Sequence, residues 1–213
     1  MNNRKFIALL SEGFDSPIAS YLLLKKKFKP IFLSFLTSDS QNEKMKQKII
    51  KICEKLADHS NSNLKIYFIP HLSNLKYIKE NAARKLTCVL CKRLMYRIAK
   101  KICQLEGTNI IATGDILGEQ ASQTLDNIYI YNDVLKNNIK LTPLIGFNKL
   151  EILEFSKELG LYEICAEKLN ACQSNPRYPE THAKRKEIQK YESRFQFIEI
   201  IENSIKKAEI LYI

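Results

Sequence analysis

The stretch that most constrains this chain lies near its start, where Phe6-Ile7-Ala8-Leu9-Leu10 runs directly into Ser11-Glu12-Gly13-Phe14-Asp15-Ser16-Pro17. Five consecutive apolar residues without alternation read as a strand buried on both faces, which demands a covering layer on each side. Behind the loop, Ser16 is in position to cap a helix and Pro17 to be its first residue. Ile18, Ala19, Leu22 and Leu23 then follow at helical spacing. A strand that turns into a helix in this way aims backbone N–H groups and a helix N-terminus at one point, which suits an anion such as phosphate.

The same rhythm continues along the chain. Residues 30–36 form a second buried strand, and Met45, Ile49, Ile52 and Leu56 mark a helix between 42 and 57. Residues 64–69 alternate into a third strand. Residues 74–101 read as mostly helical, with Cys88-Val89-Leu90-Cys91 inside or just before a helix striped by Leu94, Ile98 and Ile102. A short strand over 109–113 ends at Gly114-Asp115, a helix is expected over 119–135, and a last strand over 140–145. Asn148 caps a helix over 149–159 that Gly160 closes.

Strands separated by helices imply βαβ crossovers. The expected fold is therefore α/β, a Rossmann-like parallel sheet with helices on both faces. Beyond Gly160 the period is lost. Residues 161–181 read as an ordered loop over a site, and 182–210 as one helix whose buried stripe is Ile188, Tyr191, Phe195, Ile198, Ile201 and Ile205. With no internal repeat or linker, 213 residues are expected to form one domain, 1–213, with 161–213 a loop and helix packed upon it.

Lys and Arg number 34 against 23 Asp and Glu, a net charge of +11 that favours a polyanionic partner, although a basic protein need not touch nucleic acid. The first residues lack a signal-peptide pattern, and no apolar run approaches the ~18 residues of a membrane span, so a cytoplasmic protein is expected. Six cysteines in that compartment point to metal or sulfur chemistry rather than disulfides. His59, His71 and His182 have no informative spacing, and each reads as structural or exposed.

Ser11-x-Gly13-x-Asp15-Ser16 resembles the pyrophosphate loop of ATP pyrophosphatases, which adenylate a substrate and release pyrophosphate. It is not a Walker loop, since no Gly-Lys-Ser/Thr follows. Three further stretches sharpen the likeness. Cys91-Lys92-Arg93-Leu94-Met95-Tyr96-Arg97, the run Thr113-Gly114-Asp115 through Gly118 to Gln123-Thr124, and Pro143-Leu144-Ile145-Gly146 through Lys149 resemble segments of the tRNA 4-thiouridine synthetases. These are ThiI-type sulfurtransferases also linked to thiamine thiazole formation, and the likeness covers most of residues 5–200. Glu12 departs from the pattern, which has glycine there; a carboxylate beside pyrophosphate repels it unless it points away or reaches a cation.

The resemblance implies an ATP site built from Leu9, Leu10, Ser11, Gly13, Ser16, Ser34, Phe35, Lys92, Gly114 and Gln123. Asp15 is expected to be essential in adenylation and to orient Mg²⁺, Lys149 to be the catalytic lysine stabilising developing charge, and Cys172 the catalytic cysteine of sulfur delivery. Cys88 and Cys91, a pair that some archaeal-type relatives use with a third cysteine, join Cys172 as candidate ligands of an iron–sulfur cluster. Three thiolates leave a [4Fe–4S] cluster one open iron for exogenous sulfide. A closed zinc completed by Cys165 or a histidine, and free thiols or a persulfide/disulfide couple, are the alternatives. Cys53 and Cys103 read as inert core residues.

The function implied is ATP-dependent replacement of a tRNA uridine oxygen by sulfur to give 4-thiouridine. The alternatives are another tRNA base, a small-molecule acceptor, or a non-catalytic nucleotide- or tRNA-binding subunit. The sulfur donor is expected to be sulfide or a persulfide carrier. Relatives carry a THUMP-containing tRNA-binding region and some a rhodanese-like domain; this chain reads as the pyrophosphatase domain alone. Its tRNA grip would then come from a separate THUMP-type protein, a homodimer, or basic surface at 25–29, 97–101 and 184–186.

Overall fold

The computed structural model describes residues 4–60, 63–167, 169, 172 and 174–213. Its centre is the expected first strand, β1 (Lys5–Leu9), flanked by β2 (Lys29–Leu36) and β4 (Ile110–Ala112). Outside these lie β3 (Lys65–Pro70), β5 (Ile139–Leu141) and β6 (Glu209–Tyr212), giving the order β5-β4-β1-β2-β3-β6. Five strands are parallel, and β6 closes one edge antiparallel to β3. The fold is thus α/β and Rossmann-like, as the sequence rhythm implies.

Alternation along the central strands sends side chains to two cores. Phe6 and Ala8 of β1 join Phe32 of β2 on one face, while Ile7 joins Ile31 and Leu33 on the other. The first face is covered by α1 (Asp15–Lys25), α2 (Asn42–Ala57), α6 (Lys149–Glu158) and α7 (Tyr162–Ala166). The second is covered chiefly by α3 (Leu72–Asn81), α4 (Thr87–Glu106), α8 (Arg185–Glu192) and α9 (Phe197–Lys206), with α5 (Leu125–Ile130) at its margin. Apolar residues on both sides of one strand are what a run such as Phe6 to Leu10 requires.

Several expected elements differ. Helix α1 begins at Asp15, and its N-cap position is Phe14 with no side-chain cap. Ser16 instead turns its hydroxyl back to the loop. Pro17 costs nothing there, because N–H groups of a first helical turn have no helical partner. The single helix expected over 182–210 is α8, a turn, α9 and then β6; the 3–4 spacing of its apolar residues continues across the break and hides it. Phe195 in that break is buried edge-on to Tyr77 and Phe197, whereas Ile198, expected inside, is 77% exposed.

The helix expected over 119–135 is a 3₁₀ turn, Ala121–Gln123, followed by the short α5. Thr124 breaks the run by taking an extended conformation and accepting the N–H of Asn127. Strand β5 stops at Leu141 rather than 145: Pro143 brings no N–H, and Ile145 closes a turn onto Thr142. Asn148 does cap α6, in a full capping box with Glu151. The expected loop over 161–181 contains α7, and its residues 168, 170, 171 and 173 lie outside the described residues.

Candidate active site

Strand order reverses at β1: the chain moves outward through β2 and β3, then returns to place β4 on the other side of β1. In open α/β sheets ligands bind beyond the carboxyl ends of the strands at such a switch. A cavity of about 330 Å³ lies there, lined on the β1 side by Leu9, Ser11, Asp15 and Ser16 and on the β4 side by Thr113, Gly114 and Asp115. Its volume is in the range of small-molecule sites.

The loop after β1 holds its own shape. The Ser11 N–H donates to Ser16 Oγ at 2.8 Å, and the two hydroxyls stand 3.0 Å apart. Gly114 presses against this loop from the β4 side. A Cβ there would come within 2.5 Å of Ser16 N and 2.6 Å of the Asp15 carbonyl carbon. Glycine is therefore required where the two loops meet, so that Asp15 and Asp115 open into one space.

Both carboxylates face lysines. Lys149 Nζ, from the first turn of α6, is 2.7 Å from Asp15 Oδ1 and 3.9 Å from Glu119. Asp115, with a side chain only 3% exposed, pairs with Lys92 from α4 and, at 2.8 Å, with Lys140 from β5. Burial alone would raise the Asp115 pKa, but the Lys92 and Lys140 charges hold its carboxyl well below the usual range. Burial lowers the Lys140 ammonium pKa against the pull of Asp115.

The cavity's third wall carries sulfur. Cys88 and Cys91, three residues apart in the opening turns of α4, line it together with Lys92 and Met95. Cys172 reaches it from the other side, with Ser174 and Asn175. Cys88 Sγ lies 3.6 Å and Cys172 Sγ 3.9 Å from the same amide oxygen, Asn175 Oδ1. Burial, then the neighbouring sulfurs, push the Cys88 and Cys91 thiols above their ordinary value. Among the described residues no three His, Cys, Asp or Glu side chains stand close enough to hold a single metal ion.

The other cysteines lie elsewhere. Cys165, considered above as a fourth ligand, is buried in the opposite core, where burial raises its pKa to about 11. Cys53 and Cys103 are buried, and burial pushes Cys103 up to about 12. His71 is the residue that sequence spacing missed. It is fully buried, burial lowers its pKa to about 3, and Nε2 stands 3.3 Å from Cys91 Sγ.

Of the residues expected to form the site, Leu9, Ser11, Asp15, Ser16, Lys92, Gly114, Gln123, Cys88, Cys91 and Cys172 line one cavity. Lys149 joins it through Asp15. Gly13 lies in the loop between them, and a Cβ there would meet nothing closer than Ser11 Oγ at 3.8 Å. Leu10, Ser34 and Phe35 are in the interior instead: Leu10 and Phe35 are core residues, and Ser34 is fully buried with its hydroxyl unpartnered. Glu12 does not line the cavity; burial raises its pKa, the Lys48 charge lowers it and the Glu167 charge raises it.

The family model for the thiamine biosynthesis protein ThiI matches residues 2–197. The chain belongs to the ThiI family. A probable tRNA sulfurtransferase of Methanosarcina mazei is 33% identical over 97% of this chain and 51% of its own length. Another, from Methanocaldococcus jannaschii, is 32% identical over 91% of this chain and 50% of its own. The chain thus spans about half the length of these relatives. A solved 4-thiouridine synthetase–RNA complex with bound ATP superposes with a TM-score of 0.90 at 28% identity, over 98% of this chain and 55% of that one.

Proposed function

We propose that the chain is the ATP-pyrophosphatase unit of a tRNA sulfurtransferase, a single domain spanning 1–213, that adenylates a uridine and replaces its 4-oxygen with sulfur. The observation that carries this reading is the sharing of one cavity by the loop 11–16 and the three cysteines. Activation and sulfur delivery then have a common address. The ATP-bound family member of similar fold supports the nucleotide assignment.

In this reading the phosphates of ATP lie over Ser11, Gly13 and Ser16, beside the N-terminus of α1. Lys149 leaves Asp15 for the phosphates, and Asp15 is freed to hold Mg²⁺. The uridine 4-oxygen attacks the α-phosphorus, the bond to pyrophosphate breaks, and sulfur then displaces AMP from C4. Lys92, pinned by Asp115, holds positive charge between the nucleotide and sulfur ends.

Three sulfurs lining one cavity suit a cluster, whose thiolate ligands bind separate irons. Cys88, Cys91 and Cys172 would hold it, and its iron without a protein ligand would offer sulfide an open position. Sulfide or a persulfide carrier is the proposed donor. The tRNA would meet the basic chain with help from a THUMP-type region, partner protein or second copy. No helix among the described residues is long and apolar enough to cross a membrane.

Nucleoside mass spectrometry of tRNA incubated anaerobically with the iron-reconstituted protein, a THUMP-type tRNA-binding protein, ATP, Mg²⁺ and sulfide tests the reading. We expect 4-thiouridine from the unaltered chain. Cys172→Ser should lose thiolation at least about 100-fold while ATP–pyrophosphate exchange stays within about twofold. A thiolated base other than 4-thiouridine would change the acceptor, and unimpaired thiolation by Cys172→Ser would remove the proposed sulfur route.

A further inference from the structure

We propose that His71 is a positioning residue for sulfur, donating a hydrogen bond from Nε2–H to Cys91 Sγ in a tautomer fixed by Asn74 and Ser204. Its purpose rests on the sulfur-transfer reading above; its geometry does not. The ring is wholly enclosed, packed edge-on to Phe35 with centroids 5.0 Å apart, so it cannot exchange partners with bulk water.

Counting hydrogens assigns the tautomer. Ser204 has one hydroxyl hydrogen, and it goes to the Ile200 carbonyl at 2.7 Å. Toward Asn74 the Ser204 oxygen can therefore only accept, which requires the amide nitrogen, Nδ2, on that side at 3.0 Å. The second hydrogen of Nδ2 faces His71 Nδ1 at 3.1 Å. A ring nitrogen that accepts carries no proton, so the hydrogen of the imidazole is on Nε2, 3.3 Å from Cys91 Sγ.

The three sulfurs of the cavity are thereby made unequal. Cys91 receives an N–H, which favours a sulfur that only accepts: a thiolate, or a thiolate bound to metal. Cys88 and Cys172 instead face the amide oxygen of Asn175, which can take only a hydrogen from them. Cys91 is the anchored sulfur, and Cys172 is the exposed one. Because Ser204 belongs to α9, the C-terminal helix is part of this arrangement.

The test uses the full chain with ¹⁵N-labelled histidine. A two-bond ¹H–¹⁵N correlation spectrum should show His71 as the Nε2–H tautomer, and Asn74→Ala should let the Nδ1–H form appear. After anaerobic reconstitution with iron and sulfide, His71→Phe should retain iron about 10-fold less tightly. His71→Gln, whose side-chain amide can supply an N–H, should recover most of the loss, with circular dichroism reporting that each variant is folded. An Nδ1–H tautomer in the unaltered protein, or a folded His71→Phe that holds iron normally, would overturn the inference. A chain with the Nε2–H tautomer that never thiolates RNA would support this hydrogen bond while refuting the proposed function.

Discussion

At the loop end of the cavity Lys149 faces Asp15, and Lys92 and Lys140 face Asp115. At the sulfur end Cys88, Cys91 and Cys172 face one another, an amide and an uncharged imidazole. The first end is built of opposed charges; at the second, burial raises the Cys88 and Cys91 thiols and lowers the His71 imidazole. An arriving polyphosphate therefore competes with a carboxylate for Lys149, whereas an arriving metal must first displace protons from thiols. The two ends are prepared for ligands in different ways, and Lys92 is a charge that bears on both: it binds Asp115 and partly offsets the rise that burial gives the Cys91 thiol.

The contrast can be broken most severely at Asp15. Asp15→Ala should reduce ATP–pyrophosphate exchange by at least about 10²-fold, while iron uptake at the sulfur end is expected to be unaltered. A parallel loss of both would mean that the ends are not separable. Asp115→Asn attacks the buried clamp and strands Lys140 without a counter-charge. It should cost about 3–5 kcal/mol in urea unfolding.

The acid dependence of that second effect has a definite sign. The Asp115 pKa is depressed in the folded chain, so the unfolded chain takes up the proton first as pH falls below its ordinary ~3.9. The stabilisation is complete at neutral pH and declines in acid, and Asp115→Asn should flatten the stability profile there. Glu12→Gly is expected to do least. With Oε2 buried and unpartnered outside the cavity, its loss should change stability by less than about 1 kcal/mol and exchange by less than about threefold. A larger gain in exchange would place that carboxylate nearer the phosphates than Lys48 and Glu167 suggest.

Much of this was legible in the residues. Phe6, Ile7 and Ala8 are buried on both faces of the sheet as the lack of alternation implies, and Asn148 caps its helix with Glu151. The pyrophosphate-type loop and the Cys88/Cys91 pair both reach the cavity. Other features were hidden because their signal is not local. The Ser193–Gln196 break leaves helical spacing intact, and only Phe195 entering the core reveals it. His71 has no motif of its own, since its meaning depends on Cys91, Asn74 and Ser204 from three helices. Asp115 sat within a recognised segment, but its two lysines come from α4 and β5.

The pairing of β1 with two distant neighbours also sets the order in which the molecule can acquire its chemistry. Strand β2 can join β1 early, yet Ile7 and Ala8 must wait for Ile111 and Ala112, far along the chain, before the crevice has its second wall. Such long-range pairing is slow relative to local structure. A half-assembled chain consequently presents the loop without the enclosure, and a nucleotide that needs both walls would stabilise only the finished form.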